Sequence, residues 1–176
     1  MNVLYMMNLL HFQTKNKSLI YGLNREDEIF KNLYQIIAGD IERAKYKFSF
    51  FDFYCKSKHI LFELKCLTYS ISLYPNAIMN TSKIDIYKHM VFIFEYTDFN
   101  KEKQLYYHIY EHTRNYNRRY ITPNNRVNTC EVIDIPIHQL TLFEPDTIYD
   151  FNFENNQSIL DIELFNELLK KDEFRI

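Results

Sequence analysis

Asp52-Phe-Tyr-Cys-Lys-Ser-Lys-His-Ile-Leu-Phe-Glu63-Leu-Lys65 carries more information than any other stretch of this chain. An acid ends one apolar strand and a Glu-x-Lys sits inside the next. Successive strand residues point to opposite faces, so Glu63 and Lys65, two apart, share one. The rest of that strand is Ile60, Leu61, Phe62 and Leu64, a setting in which charges are rarely left without a task. Between the strands, Lys56-Ser-Lys-His59 is short enough for a hairpin. A turn centred on Ser57-Lys58 sets Asp52 directly opposite Glu63. Cross-strand partners hold their Cβ atoms about 5 Å apart. Carboxylates that close repel unless a proton or a divalent cation lies between them. The spacing therefore predicts a metal site, with Asp52 and Glu63 as hard-oxygen ligands and a lysine beside them.

This arrangement resembles the PD-(D/E)xK nuclease superfamily, the restriction-endonuclease-like fold. That family's signature is an acid, a short gap and Glu-x-Lys on the following strand, usually with a glutamate on a preceding helix. The local wording is similar to that of nucleases of phages and large DNA viruses: Phe62-Glu-Leu-Lys65, then Leu73-Tyr-Pro75, Ile78-Met79 and Lys83-Ile-Asp85. The resemblance covers residues 22–110. It implies an α+β fold with a restriction-endonuclease-like core, a mixed central β-sheet flanked by helices. It also implies Glu26, Asp52, Glu63 and Lys65 as catalytic residues acting with Mg²⁺, for which Mn²⁺ substitutes. Asp52, Glu63 and the backbone carbonyl of Leu64 would be the ligands. Lys65 would orient or deprotonate the attacking water and neutralise charge on the scissile phosphate. Lys83 lies about where the family often has a basic or amide residue on its second core helix, although a solvated helix-start lysine fits equally.

The helix acid must be chosen from Glu26, Asp27 and Glu28, all favoured in a first turn by the helix dipole. Ile29, Phe30, Leu33, Ile36 and Ile37 form the apolar stripe. At about 100° per residue Glu26 falls on the stripe side and Glu28 toward solvent. Glu26 is the choice, with Glu28 in reserve. Asn24 is the expected cap of this helix and Gly39-Asp40 its expected end.

With 176 residues the chain suits one domain, 1–176. Only 2 glycines are present, against 15 Tyr and 15 Phe, and no Gly-Lys-Ser/Thr occurs, which excludes a P-loop. A net charge of −2 provides no global basic field, so nucleic-acid contact must come from local patches. Arg114-Asn-Tyr116-Asn-Arg118-Arg119 interleaves cations with an aromatic, a mix suited to phosphate contact and base stacking, or to a solvated loop. Three cysteines at no metal-ligand spacing read as free thiols of a reducing compartment. No transmembrane span is visible, and the apolar start from Val3 to Phe12 reads as a packed strand or helix. The expected location is intracellular, in host cytoplasm or nucleus if the protein is viral, or packaged in the virion.

The remaining elements read as strands over 46–54, 59–67, 90–96, 104–110 and 130–135, with a short helix from Thr81 or Ser82 to Lys88. Residues 68–80 read as an irregular connection and 112–129 as a basic loop. The family core has a strand before the acid-bearing one, and only 40–47 is available for it. An acidic C-terminal helix, 158–171, carries more apolar positions than one stripe needs, which allows ordinary core packing or a homodimer contact. Two function classes follow: a Mg²⁺-dependent deoxyribonuclease, expected to be an endonuclease, or a catalytically silent DNA-binding or virion structural protein with the same fold. An RNA-directed nuclease is a third.

Overall fold

The hairpin forms in the register that the turn dictates. In the computed structural model, which describes residues 24–46, 49–84, 86–122, 128–144, 146–153 and 159–174, strands β2 (Phe53–Cys55) and β3 (Ile60–Cys66) pair antiparallel. Phe53 faces Phe62, Tyr54 faces Leu61 and Cys55 faces Ile60. The ladder ends there: Asp52 donates its N–H to the Phe62 carbonyl at 2.9 Å, one residue out of that register, instead of pairing with Glu63. His59 closes the turn at φ 53°, a conformation only a few per cent of non-glycine residues adopt. Asp40 braces it from outside, accepting from the Ser57 N–H at 3.0 Å and the Cys55 thiol at 3.1 Å. Gly39 lets the chain come this close: its φ is +127°, and an added Cβ would meet the Cys55 Sγ at 2.8 Å.

Helix α1 spans the described residues 24–36, so Asn24 is helical rather than a cap. Strand β1 (Ile41–Arg43) follows and pairs antiparallel with β2. It is the strand before the acid, and it is only three residues long. The strand expected over 46–54 shrinks to Phe53–Cys55 because Ser49 donates to the Tyr46 carbonyl in a turn that brings the chain back from β1. Asp52 keeps both neighbours, donating its N–H to Phe62 and accepting from Ala44 through its carbonyl.

Strand β5 (Met90–Thr97) pairs with β3 in parallel, from Leu61 facing Met90 to Cys66 facing Glu95. Strand β6 (Lys103–Ile109) and a two-residue β9 (Thr141–Leu142) continue the sheet antiparallel, giving the order β1-β2-β3-β5-β6-β9. Parallel neighbours require a crossover. Here it contains β4 (Asn76–Asn80) and the four-residue helix α2 (Thr81–Ile84). Strand β4 does not join the main sheet. It pairs with β8 (Cys130–Pro136), which pairs with β7 (Asn117–Ile121), in a separate antiparallel sheet. Two expectations are thereby corrected. The connection 68–80 contains a strand, and so does the basic segment 112–129. The second helix also ends well short of Lys88.

The sheet separates two apolar clusters. Ile29, Leu33 and Ile37 of the α1 segment cover Phe53, Phe62, Val91 and Ile93 on one face. On the other, Leu61, Phe92 and Phe94 pack against Met79, Ile133 and Ile135 of the small sheet and Phe165 and Leu168 of α3 (Ile159–Phe174). The result is an α+β fold with a mixed central sheet between helical and sheet layers. Phe165 and Leu168 lie in this core, the ordinary packing that the helix's extra apolar positions allow. No helix among the described residues is long and apolar enough to cross a membrane. The Val3–Phe12 element lies outside the described residues.

One buried ion pair ties α1 to the sheet. Arg25 donates from Nε to Glu95 at 3.0 Å and again from Nη2, and the Glu95 side chain is only 2% exposed. Removing Arg25 leaves the buried Glu95 carboxylate with only the longer contact to Lys103, at 3.9 Å. Arg25→Met is expected to lower the unfolding free energy by about 3 kcal/mol in urea titrations, and adding Glu95→Leu to restore much of it.

Candidate active site

Strand β2 stops where the site begins. Beyond Phe53–Phe62, the next β3 amide on that side, Leu64 N–H, has no ladder partner from β2. A buried N–H must find an acceptor, and the Asp52 carboxylate takes it at 2.6 Å. This bond fixes Asp52 against the Glu-x-Lys strand and holds Leu64. Burial raises the Asp52 pKa, with the Leu64 N–H, Lys83 and Arg43 pulling it back.

Glu63 shares the sheet face of Leu61, toward the small sheet. Its Oε2 accepts from Lys83 Nζ at 2.9 Å. Its carboxyl is pushed up to about 8, first by burial and second by the neighbouring Asp52, while Lys83 opposes and Glu26 adds a smaller push. Charge repulsion between the two neighbouring acids is thus secondary to burial.

Glu26 joins the group from α1. Arg43 contacts it at 3.3 Å, and burial followed by Asp52 raises its pKa. Glu28 points away with its side chain 62% exposed and pairs with Arg25. Of the helix acids, Glu26 is the one that reaches the site. A cleft of about 300 Å³ opens here, lined by Glu26, Arg43, Phe51 and Asp52.

The two lysines have different surroundings. Lys65 Nζ donates to the Ile78 carbonyl at 2.6 Å, and burial lowers its pKa while Glu63 pulls it upward. Lys83 bonds both Glu63 and the Ser49 carbonyl, the latter at 3.2 Å. It is therefore part of the carboxylate cluster and not a solvated helix-start lysine. Among the described residues no three His, Cys, Asp or Glu side chains converge into a ready-made metal cage. The acids lie within electrostatic reach of one another, with cations interleaved.

The residues of the basic segment have different settings. Tyr116 is buried, accepts the Glu111 N–H at 3.2 Å and stacks on Tyr110, so its ring is not open for a base. Arg114 lies over that ring, Arg118 pairs with Glu131, and Arg119 pairs with Asp134. Sequence reasoning missed Arg43 and Arg25, since a lone arginine far from its carboxylate in the chain leaves no local pattern. Comparison with family models, with curated proteins and with solved structures finds no match.

A pH dependence follows. Glu63 is ordinary when unfolded and raised when folded, so the folded state binds the extra proton between about 4.5 and 8. Its contribution therefore lowers stability as pH rises through that window. Glu63→Gln, which cannot ionise, should melt higher than wild type at pH 8 in EDTA and show a flatter pH profile. If it melts lower at pH 8, the bond to Lys83 outweighs the cost of burying the charge.

Proposed function

We propose that this chain is a Mg²⁺-dependent deoxyribonuclease that hydrolyses phosphodiester bonds in DNA, on a restriction-endonuclease-like core and with a viral role in restriction, recombination or repair. The observation that carries the reading is the meeting of Glu26, Asp52 and Glu63 beside Lys65 and Lys83 at one end of the main sheet. The strand sequence supports it: a short strand, the acid-bearing strand, the Glu-x-Lys strand, then a parallel neighbour.

The donor set fits a hard divalent cation. Carboxylate oxygens are the ligands such ions prefer, and Glu63 is a buried acid whose charged form needs a compensating cation. Asp52, Glu63 and the Leu64 carbonyl would hold it, and bound there it would polarise a phosphoryl oxygen and acidify a water. Lys65, whose ammonium is destabilised by burial, would orient or deprotonate the attacking water. Lys83 would give positive charge to the phosphate once it leaves Glu63. Glu26, held by Arg43, would position Asp52's surroundings rather than bind substrate.

A second reading is a DNA-binding or virion structural protein that keeps this arrangement without turnover. One observation favours it: Lys83 and Arg43 already occupy the acids, and no preformed cage exists among the described residues. Metal occupancy separates the two. A Mn²⁺-soaked crystal with no peak between Asp52 and Glu63 would support the silent protein.

Cleavage of supercoiled and linear DNA with Mg²⁺, Mn²⁺ or EDTA tests the first reading. Activity should vanish in EDTA and fall roughly 100-fold or more in Asp52→Asn and Lys65→Ala. Melting in EDTA should leave Asp52→Asn as stable as wild type or slightly more so, because one buried acid is neutralised. Mg²⁺ should raise the wild-type Tm by binding the folded state and raise the variant's much less. Cleavage that survives EDTA overturns the mechanism.

A further inference from the structure

A second cleft, of about 340 Å³, lies against the outer face of the small sheet and is lined by Tyr69, Tyr74, Pro75, Asn76, Ile78 and Arg119. One residue, Ile78, links it to the candidate active site. Ile78, in its wall, supplies the carbonyl that holds the Lys65 ammonium. The same strand runs on directly into α2, which carries Lys83 to Glu63.

The lining has the chemistry of a base-stacking platform. Tyr69 and Tyr74 meet edge to face, with centroids 5.1 Å apart and planes at 82°, so a flat ligand on one ring face has the other ring as a side wall. Tyr74 is 53% exposed, unusual for a large aromatic that could pack inward. Arg119 stands at the rim with its Nε fixed by both carboxylate oxygens of Asp134 at 3.0 Å. Its other guanidinium nitrogens donate to no described residue, and a held, planar cation suits a phosphate or a base face. Asn76 adds an amide that both donates and accepts.

We propose that this cleft takes one unpaired nucleobase of a strand whose backbone continues toward Lys65 and Lys83, so that the substrate is single-stranded or frayed nucleic acid. This rests on the proposed nuclease reading for the direction of the strand, though not for base binding itself. In an intact duplex each base face is covered by its neighbours. Only an unstacked base offers a face to Tyr74, and stacking of this kind tolerates any base. Arg119 at the cleft and Lys83 at the acids supply the local positive charge that the overall charge of −2 does not.

The test is fluorescence anisotropy in EDTA with a labelled single strand and with the blunt duplex of the same sequence. Wild type should bind the single strand more tightly. Tyr74→Ala should weaken that binding roughly 10-fold or more while leaving the salt slope unchanged, and Tyr74→Phe should retain it. Arg119→Gln should lower the salt slope by about one. Because Tyr74 is exposed, its variants do not disturb the core. Equal single-strand affinity in wild type and Tyr74→Ala, or preference of wild type for duplex, overturns the proposal, as does tight capture of a peptide but no nucleic acid. Cleavage with Mg²⁺ is read in parallel. Tyr74-dependent binding without any cleavage would retire the nuclease reading and keep the cleft, and Asp52-dependent cleavage with Tyr74-independent binding would do the reverse.

Discussion

A carboxylate in the middle of a strand made of Ile60, Leu61 and Phe62 cannot be left ionised without a partner, and Glu63 is such a carboxylate. Much of this end of the molecule answers to that requirement. Lys83 reaches Glu63 from α2 and is itself steadied by the Ser49 carbonyl. Asp52 sits next to it and spends one oxygen on Leu64 N–H. Arg43, two residues past the start of β1, holds Glu26 in the same group. Three acids and their interleaved cations form one electrostatic unit, in which removal of any charge changes the balance for the rest.

The parallel pairing of β3 with β5 explains why those cations arrive from where they do. An antiparallel neighbour would have needed only a tight turn. A parallel one forces the chain to leave the end of β3, cross a sheet face and return to the beginning of β5. Residues 67–89 make that passage over the face that displays Glu63 and Lys65. Strand β4 thereby offers the Ile78 carbonyl to Lys65, and α2 offers Lys83 to Glu63. Pairing of β4 with β8 keeps the crossover in place without adding it to the main sheet. The same passage builds the Tyr69–Tyr74 cleft, whose Ile78 also offers its carbonyl to Lys65.

The hairpin register was legible because a four-residue turn leaves few ways to pair two apolar strands, and a slip of one residue would put every side chain on the wrong face. The choice of Glu26 over Glu28 was legible for a similar reason, the helical period. Other elements left weaker marks. Strand β4 alternates, with Ala77 and Met79 inward, but over only five residues after a proline. Strand β7 reads Asn-Arg-Arg-Tyr-Ile, mostly exposed, as befits an edge strand protected by charge rather than marked by apolar residues. Its pattern is therefore that of a loop. Tyr116, just before β7, looked like an open aromatic because nothing nearby in the sequence shows that Tyr110 and His108 will enclose it. The aromatic run before Tyr54 suggested a long strand, yet aromatic content does not report where a chain turns. Lys83 was ambiguous because its partner lies 20 positions away.

The two lysines of the site share one acid and yet differ in kind. Lys83 is held between a carboxylate at 2.9 Å and a carbonyl at 3.2 Å. Lys65 has one carbonyl at 2.6 Å, and burial moves it toward its neutral form, with Glu63 only partly restoring the charge. On the proposed reading, Lys65 is then the group that exchanges a proton with water, and Lys83 the one that stands opposite negative charge. The division follows from position. Lys65 is fixed within β3, packed under the small sheet, whereas Lys83 sits on a four-residue helix, with its side chain 22% exposed beside Glu63. Lys83 at the rim can turn toward another anion once a cation takes its place at Glu63, whereas Lys65 is held in place by its strand and the Ile78 carbonyl.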